Sequence, residues 1–444
     1  MNKPHLPIIS AKDVKGKFVL IRVDHNVIKK GKIDDPYRIE RSKATIDLVL
    51  ENGGYPILMT HIGRPRDKES GNITVSQDDS VVPVADYIQS TWGYKVRVIE
   101  LNPKKATEKG FTGLDSSVDY AIDELKNGEV KIVYLPNTRW FTGEEEKTVQ
   151  GLRDSFTAEL ASIADIFVND AFGSHQPHVS TYWITKKLPS FAGLLMAEEV
   201  QRLEYLLNLP KAKHPFLVVV AGEKIDTKIG ALESLREVAD HLLVGGLPAN
   251  ALICAKYGVK INGVGQGEIE VARHLLDADK QDNRLLIPDL VIASDLECNK
   301  DYPRQEGKYR EIDLYKARRG DNLGFVYDIS PKYLMKSDVA ETIKKAKTDF
   351  INAVMGFDKA GFVDGTVALY YLLAENDADH FFGGGDTLKA LSKYANDFYS
   401  KLGQDKRHTL FTGGGTILTG FESRGVYKME VVNALIQNGG KPPE

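Results

Sequence analysis

Short runs of apolar residues recur along the chain, separated by stretches long enough to form helices. The runs are continuous rather than alternating, which predicts strands that are buried on both faces. Buried strands that alternate with helices favour parallel α/β sheets. The runs are FVLIRV (18–23), YPILMT (55–60), KIVYL (131–135), IFVN (166–169), FLVVVAG (216–222), HLLVGG (241–246), LVIAS (290–294) and HTLFTGG (408–414).

One amphipathic stretch near the middle divides the chain. Apolar residues recur every three or four positions from Met196 to Leu207, which predicts a helix with one buried face, closed by two prolines. A chain of 444 residues is too long for one small core. We therefore predict an α/β protein with two doubly wound parallel-sheet domains joined by this helix. A closed eight-stranded barrel fits the strand count less well and stays open as an alternative.

Composition narrows the class of protein. The net charge is −4, with 42% hydrophobic and 27% charged residues, which is typical of a folded soluble chain and excludes a basic nucleic-acid-binding body. No apolar run approaches the length of a membrane span, and the start of the chain has no signal-peptide hydrophobic region. The two cysteines fit neither a disulfide framework nor a zinc spacing. We expect a cytoplasmic monomer with small-molecule partners and no nucleic-acid or membrane partner.

Polar and basic side chains follow several apolar runs in the first half, at the end of the strands where open α/β sheets bind ligands. Four arginines are expected to converge there, and arginine grips phosphate or carboxylate with a planar fork. The pattern predicts a small-anion site and leaves the role of His25 undecided. The candidates are Arg22, Asp24, His25, Asn26, Arg38, His61, Arg64 and Arg139.

In the second half of the chain, the residues that follow the predicted strands are mainly lysines and glycines. Lys224 and Lys228 lie on one face of a predicted helix, whose N-terminus adds backbone donors for phosphate. Glycines after predicted strands let the backbone approach a phosphate, and Asp386 with Thr387 can face Mg²⁺. These glycines lie at 245–246, 383–385 and 413–415. The pattern predicts a nucleotide site, although it contains neither a P-loop nor a convincing GxGxxG motif.

The two halves together predict a phosphoryl transferase that closes two lobes around its reactants. Such an enzyme needs no protein nucleophile, because lysine, arginine and Mg²⁺ supply positioning and electrostatic stabilisation. Two acidic runs, at 34–35 and 144–146, are a possible source of acid/base or metal chemistry, but turn and helix-cap chemistry explains them more simply.

Over nearly its whole length the chain resembles the phosphoglycerate kinase family. The motifs that carry the resemblance are VLIRVDHN, DDPYRI, LMTHIGRP, LPNTRWFTGEEE, FVNDAFG, LPSFAGLLMAEEV, GEKIDTKIG, GGGDT and TGGG. The resemblance implies two Rossmann-like, hinge-bending lobes: an acceptor domain (1–195, completed by the tail 425–444), a connecting helix (196–214) and a nucleotide-binding domain (215–424). It implies the glycolytic reaction, in which a phosphoryl group passes reversibly between Mg-ATP and the carboxylate of 3-phosphoglycerate, giving 1,3-bisphosphoglycerate and ADP.

The resemblance also implies a role for each candidate residue. The transferring phosphoryl group would be stabilised by Arg38 and Lys224. The glycerate part would be hydrogen-bonded by Asp24 and Asn26, and its phosphate end held by Arg22, His61, Arg64 and Arg139. The nucleotide would be contacted by Lys224, Lys228, Gly246, Asp358, Gly384, Gly385, Asp386 and Thr387, with Asp386 facing Mg²⁺ and Asp358 facing the ribose.

Four segments depart from the family pattern. The run Ser174–His178 is one residue shorter than usual and lacks an arginine that helps to hold the acceptor. Three glycine sites on the nucleotide side carry larger residues, which are Leu247, Ser330 and Ala353. Two alternatives therefore remain open: a kinase of the same fold that acts on a different small acid, and a non-catalytic nucleotide-binding homologue that serves as a sensor or interaction module.

Overall fold

The computed structural model describes residues 4–222 and 229–442. The strands in these residues, β1 to β17 in chain order, are Phe18–Val23, Ile28–Lys29, Lys32–Ile33, Tyr55–Met59, Val96–Val98, Ile132–Tyr134, Ile166–Asp170, Ser190–Ala192, Phe216–Val220, His241–Val244, Leu285–Leu286, Leu290–Ser294, Arg310–Asp313, Phe325–Ile329, Thr348–Asn352, Asp379–Gly383 and Thr409–Phe411.

The α-helices, α1 to α16 in chain order, are Ala11–Val14, Tyr37–Glu51, Val82–Trp92, Ser117–Lys126, Gln150–Ser162, Leu194–Leu207, Ile229–Val238, Gly246–Tyr257, Gln266–Asp279, Pro331–Leu334, Ser337–Lys345, Asp364–Ala374, Gly385–Tyr394, Asn396–Gln404, Gly414–Glu422 and Glu430–Asn438. Short 3₁₀ helices lie at Gln77–Asp79, Pro103–Lys105, Thr138–Trp140, Trp183–Lys186, Lys211–Lys213, Asp358–Ala360 and Val426–Lys428.

The chain packs as two compact units. One comprises the residues up to Leu203 together with those from Val426 onward, and the other comprises Glu204–Gly425. The division falls inside α6. We predicted that the connecting helix covers 196–214, but α6 ends at Leu207 and a separate 3₁₀ turn follows at Lys211–Lys213. Pro210 explains the difference, because proline lacks the N–H that a helix needs and disfavours helical backbone in the residue before it.

Six parallel strands form the sheet of the first unit, in the order β5-β6-β4-β1-β7-β8. β1 lies in the middle, and its residues from Val19 to Val23 are all buried. One set of its side chains packs in a single cluster with residues of α2 and α3, such as Ile39 and Val84. From β1 the chain adds β4, β5 and β6 on one side, with β6 placed between β4 and β5, and then crosses to add β7 and β8 on the other.

The second unit has a six-stranded parallel sheet in the order β11-β10-β9-β15-β16-β17. Counted by its own strands, this is the 3-2-1-4-5-6 order of Rossmann folds. Its strand order reverses between β9 and β15. The fold class expected from the sequence, two Rossmann-like doubly wound parallel-sheet domains, is confirmed.

One predicted strand belongs to a different sheet. The run at 290–294 was expected in a parallel sheet, but β12 is the middle strand of an antiparallel sheet in the order β13-β12-β14. A middle strand covered on both sides reads as continuously apolar whatever its direction. The edge strands β13 and β14 are partly exposed and gave no such signal.

The C-terminal helix α16 packs in the first unit. The side-chain amide of Asn438 donates to the carbonyl oxygens of Thr185 and Leu188, each at 2.9 Å, and its oxygen accepts from the backbone N–H of Ser190 at 2.7 Å. These bonds join α16 to the segment that leads into the edge strand β8. Among the described residues, no helix is both long enough and apolar enough to cross a membrane.

Candidate active site

The carboxyl ends of β1, β4 and β7 lie side by side in the first unit. Arg22 is level with Met59 on one side and with Asn169 on the other. The strand order reverses between β1 and β7, and ligands of open α/β sheets bind at such a point. The polar segments 24–26 and 60–64 and the segment 169–173, which begins with two polar residues, therefore lie along one edge of the sheet, as their positions after the apolar runs predicted.

Arg22 lies beneath this edge and is only 1% exposed. Its Nε donates to Ser180 Oγ at 3.0 Å, its Nη1 to the carbonyl oxygen of Val23 at 2.5 Å, and its Nη2 to His61 Nδ1 at 2.7 Å. Burial lowers the pKa of Arg22, and the negative charges of Glu144 and Asp24 oppose this effect. Arg22 is thus a buried cation that reaches the edge of the sheet through His61.

His61 connects Arg22 to the loop that follows β4. Its Nε2 lies 3.1 Å from the side-chain amide of Asn26, whose oxygen accepts from the Gly63 N–H at 2.9 Å. Arg139 donates from Nη1 to the carbonyl oxygen of Gly63 at 2.6 Å. Burial, together with the charges of Arg22 and Arg139, holds the pKa of His61 well below its usual range. The ring is therefore neutral among cations.

Two arginines of the set face solvent more than the others. Arg38, in the first turn of α2, lies with Nη1 3.3 Å from Oδ2 of the buried Asp24. Its side chain is 23% exposed. Arg64 is exposed and, within residues 4–222 and 229–442, makes no hydrogen bond or ion pair. Arg38 and Arg64 are therefore the cations of this edge that are freest to meet an anion from solution.

His25 belongs to the core rather than to this edge. Its Nδ1 lies 2.8 Å from the Tyr134 hydroxyl and its Nε2 2.8 Å from the Ser42 hydroxyl. Burial, helped by the charge of Arg22, lowers the pKa of His25 to about 3. A neutral histidine with both ring nitrogens satisfied is a structural residue, which decides the question that the sequence left open.

The short run Ser174–His178 does not replace the charge of the arginine that it lacks. Burial lowers the pKa of His178 to about 4, although the Glu145 carboxylate 3.9 Å away opposes this. Burial also lowers the pKa of His175. Both rings are neutral near pH 7, and Gln176 is exposed. The run contributes a weak contact instead, since Ser174 Oγ accepts from Arg22 at 3.5 Å.

The acidic run 144–146 has three different roles, so our turn-and-cap interpretation was only partly right. Glu146 accepts from the backbone N–H groups of Thr148 and Val149, just before α5, as a cap does. Glu145 pairs with Arg139 at 2.8 Å. Glu144 is buried and accepts from Ser180. The other run fits the interpretation, since Asp35 accepts from the Tyr37 N–H at the start of α2.

Three further residues lie near this edge of the first sheet; sequence reasoning overlooked Ser180 and Arg66 and interpreted Glu144 only as turn or cap chemistry. Glu144 and Ser180 lie behind Arg22, and Arg66 donates to the carbonyl oxygen of Thr142 at 2.9 Å beside Glu145. Arg66 follows the GRP motif, so an extension of the arginine search by two residues would have found it. Glu144 and Ser180 carry no such signal, because a glutamate in an acidic run and a serine in a loop are usually exposed.

In the second unit the chain approaches itself closely beside β9. Gly246, at the first position of α8, has a φ of +61°, and a Cβ there would lie 2.6 Å from the carbonyl oxygen of Gly222. The backbone N–H of Leu247 donates to that oxygen at 3.1 Å. Only glycine fits this position. Lys224 and Lys228, which follow Gly222 in the sequence and were predicted to contact phosphate, lie outside the described residues.

The predicted triplets come together at the ends of β15, β16 and β17. Asn352 donates from Nδ2 to the carbonyl oxygen of Gly383 at 2.6 Å. Gly384 has a φ of +106°, and a Cβ on Gly414 would lie 2.6 Å from its Cα. Gly385 and Asp386 are exposed in the first turn of α13, whereas Thr387 is buried. The helix thus begins directly after the packed glycines, with its first two residues exposed.

Asp358 lies in a 3₁₀ turn and is tied to the other end of α13. Its carboxylate accepts from the Tyr394 hydroxyl, and Lys393 Nζ lies 3.6 Å away. A carboxylate offers about four acceptor positions, so these contacts leave room for a further donor. Among the described residues no group of three or more histidine, cysteine or acidic side chains is arranged to hold a metal ion.

Comparison with known proteins settles the family. The family model described as "Phosphoglycerate kinase" matches residues 9–424. The chain belongs to the phosphoglycerate kinase family. Phosphoglycerate kinases of Rubrobacter xylanophilus and Desulforudis audaxviator are 31% and 34% identical to it over 418 residues, which is 93% of this chain and 94% and 95% of theirs. The structure of phosphoglycerate kinase from Coxiella burnetii superposes with a TM-score of 0.70 at 26% identity, covering 98% of this chain and 99% of that one.

Membership of the phosphoglycerate kinase family supports a phosphotransferase and favours neither of the two alternatives. The resemblance drawn from the motifs is confirmed, and the modest identities fit a divergent member. One of the divergent positions has a visible structural use. Ser330 caps α10 by accepting from the Lys332 N–H at 3.2 Å, and its hydroxyl donates to Glu311 at 2.5 Å.

Proposed function

We propose that this protein is a phosphoglycerate kinase that transfers a phosphoryl group reversibly between ATP and the carboxylate of 3-phosphoglycerate, giving 1,3-bisphosphoglycerate and ADP. The family match over residues 9–424 carries the proposal. The acceptor binds in the first unit at the edge shared by β1, β4 and β7, and the nucleotide binds in the second unit at the ends of β9, β15 and β16. We infer that the enzyme works in the cytoplasm as a monomer, without nucleic-acid or membrane partners.

In the acceptor half, the exposed and the buried cations have different tasks. Arg64 meets the acceptor's phosphate directly, because it is exposed and has no competing partner among the described residues. Arg22, His61 and Arg139 add charge and donors from below, since their own bonds already hold them in place. Asp24 and Asn26 hydrogen-bond the glycerate. Arg38 leaves Asp24 to stabilise the transferring phosphoryl group, together with Lys224.

In the nucleotide half, backbone groups and one carboxylate make most of the contacts with the nucleotide. The close packing at Gly246 and Gly384, together with the exposed Gly385, lets backbone N–H groups approach the phosphates, which Lys224 and Lys228 also contact. Thr387 completes this turn, and Asp358 accepts from the ribose. Phosphate at the start of α13 is favoured by free backbone donors and by the helix dipole.

Asp386 fits a magnesium ion that arrives with the nucleotide. Mg²⁺ keeps several water ligands and needs one or two carboxylates besides the substrate phosphates, and Asp386 is exposed in the first turn of α13. When bound, Mg²⁺ neutralises charge on the phosphate oxygens. Arg38 does the same from the acceptor side, where a preorganised cation acts mainly in the transition state.

The test is a steady-state assay in both directions, with 3-phosphoglycerate compared against a panel of other small acids. We expect saturation with 3-phosphoglycerate, and a loss of kcat of about 10²- to 10³-fold in Arg38→Ala. Arg41→Ala is the matched control, because Arg41 lies three residues further along α2 and pairs with Glu198 instead. Saturation with a different acid only, or no turnover at all, would overturn the proposal.

A further inference from the structure

A buried charge lies behind Arg22 and is joined to it through a single hydroxyl group. Glu144 is 1% exposed, as Arg22 is. The Glu144 carboxylate accepts from the Ser180 hydroxyl at 2.5 Å and from the Ser180 backbone N–H at 3.0 Å. The same hydroxyl accepts from Arg22 Nε at 3.0 Å. Ser180 therefore connects two opposite buried charges that do not touch.

The direction of each hydrogen bond between Glu144, Ser180 and Arg22 is fixed. An ionised carboxylate can only accept, so the Ser180 hydroxyl must donate its proton to Glu144. Its lone pairs are then directed to Arg22, which can only donate. Both oxygens of Glu144 are engaged with Ser180, and the backbone of Val179 is held by the Glu144 carbonyl oxygen at 3.0 Å. Arg22 is thus held by a carboxylate that it does not contact.

The orientation of Arg22 determines which nitrogen of His61 carries a proton. Arg22 Nη2 donates to His61 Nδ1 at 2.7 Å, so Nδ1 is unprotonated and the proton of the neutral ring is on Nε2. That Nε2–H lies 3.1 Å from Asn26 Nδ2, which is also a donor because the amide oxygen of Asn26 accepts from the Gly63 N–H. The two nitrogens therefore do not bond, and Nε2–H is left to donate to a ligand at the edge where the acceptor is proposed to bind. The hydrogen bonds therefore run without interruption from Glu144 through Ser180 and Arg22 to His61.

We propose that Glu144 is a positioning residue of the acceptor site: through Ser180 it holds Arg22, and through Arg22 it sets the tautomer of His61. The inference rests on the proposed function, because it assigns these contacts a purpose in acceptor binding. Without the Glu144 charge, the other carboxylate that acts on Arg22 is Asp24. Arg22 would then turn towards Asp24 and lose its hydrogen bond to His61. It would also pair with the Asp24 carboxylate, which the acceptor needs for its own hydrogen bond.

The kinetic test uses Glu144→Gln, Ser180→Ala and the double variant in the full chain. Each single variant is expected to raise the KM for 3-phosphoglycerate by about 10- to 100-fold, the range for a lost hydrogen bond to a charged group. The KM for ATP should stay within about twofold. The double variant should be little worse than the worse single variant, because both changes break one connection. Glu146→Gln is the matched control, since it makes the same change two residues away without touching Arg22.

A second measurement does not depend on turnover. In ¹⁵N spectra of the histidine rings, with His61 assigned by substitution, the unmodified protein should show a neutral Nε2–H tautomer at His61. Glu144→Gln and Ser180→Ala should each shift these ring signals, and Ser180→Thr, which keeps the hydroxyl, should restore them. If Glu144→Gln does not fold, Ser180→Ala gives the same readouts with the carboxylate retained.

The outcomes separate the two proposals. Ring signals of His61 that stay unchanged in the Ser180→Ala and Glu144→Gln proteins overturn the role of Glu144, as does an equal rise in both KM values. An unmodified protein that does not turn over 3-phosphoglycerate overturns the proposed function, and the tautomer measurement still decides whether Glu144 controls His61.

Discussion

Two adjacent glycines at the start of α15 should respond in opposite ways to the same substitution. A Cβ on Gly414 would lie 2.6 Å from the Cα and 2.8 Å from the backbone nitrogen of Gly384, whereas a Cβ on Gly415 would have nothing within 4 Å. Both positions lie in the first turn of the helix, so the gain in helix propensity is similar for the two alanines. Propensity therefore cancels when the two variants are compared.

The difference between the variants is then the cost of the collision. Backbone atoms cannot move away as a flexible side chain does, and forcing extra atoms into a packed site costs about 1–3 kcal/mol. Gly414→Ala should accordingly be less stable than Gly415→Ala by about 1–3 kcal/mol in urea unfolding followed by far-ultraviolet circular dichroism. It should also bind ATP more weakly, because Gly384 must shift. Equal stability and equal ATP affinity of the two variants would refute this packing argument.

Three further predictions concern protons and the C-terminal tail. Because the pKa of His25 is about 3 in the folded protein and about 6.5 in the unfolded chain, the unfolded chain binds a proton first as the pH falls. The free energy of unfolding should therefore be highest above about pH 6.5 and fall by about 2–3 kcal/mol down to pH 4.5. His25→Phe should remove this pH dependence in urea unfolding. Burial alone would lower the pKa of His380, but the Asp349 carboxylate 2.7 Å away has the larger effect, and the pKa is raised. The ion pair therefore stabilises the fold below about pH 6.5, and this stabilisation is lost as the pH rises through the raised pKa. Asp349→Asn should abolish that alkaline loss, and an unchanged pH profile would contradict the pairing. Asn438→Ala should cost about 1–3 kcal/mol and expose the tail to limited proteolysis, whereas Ala at the exposed neighbour Gln437 should do neither.

The apolar runs predicted most of the first unit, because the strands at its centre carry few polar residues. They missed β15, although it is a middle strand of the second sheet. Its sequence TDFIN places Asp349 inside a strand whose residues are all buried. That carboxylate is tolerated only because His380 of the neighbouring strand pairs with it, and a partner 31 residues away is invisible to local pattern. Conversely, the run at 290–294 was identified as a strand but assigned to the wrong kind of sheet.

The arginines of the candidate site could be found from sequence because they follow strands whose ends share one edge. The sequence did not indicate how they differ once there. Arg22 is buried and fully engaged, while Arg64 is exposed and free of partners among the described residues. His25 and His61 both follow strands, yet the first turns into the core. These differences depend on which groups the tertiary fold places opposite each side chain, as Glu144 and Ser180 illustrate.

The return of the chain end to the first unit affects how the protein forms during synthesis. Asn438 supplies bonds to the segment beside β8, so that edge cannot be completed when residue 203 leaves the ribosome. At synthesis rates of about 5–20 residues per second, more than 200 further residues take roughly 10–40 s. The second unit ends at Gly425, so its part of the chain is complete before the tail that finishes the first unit has emerged. The order of completion is therefore the reverse of the order in which the two units begin to emerge.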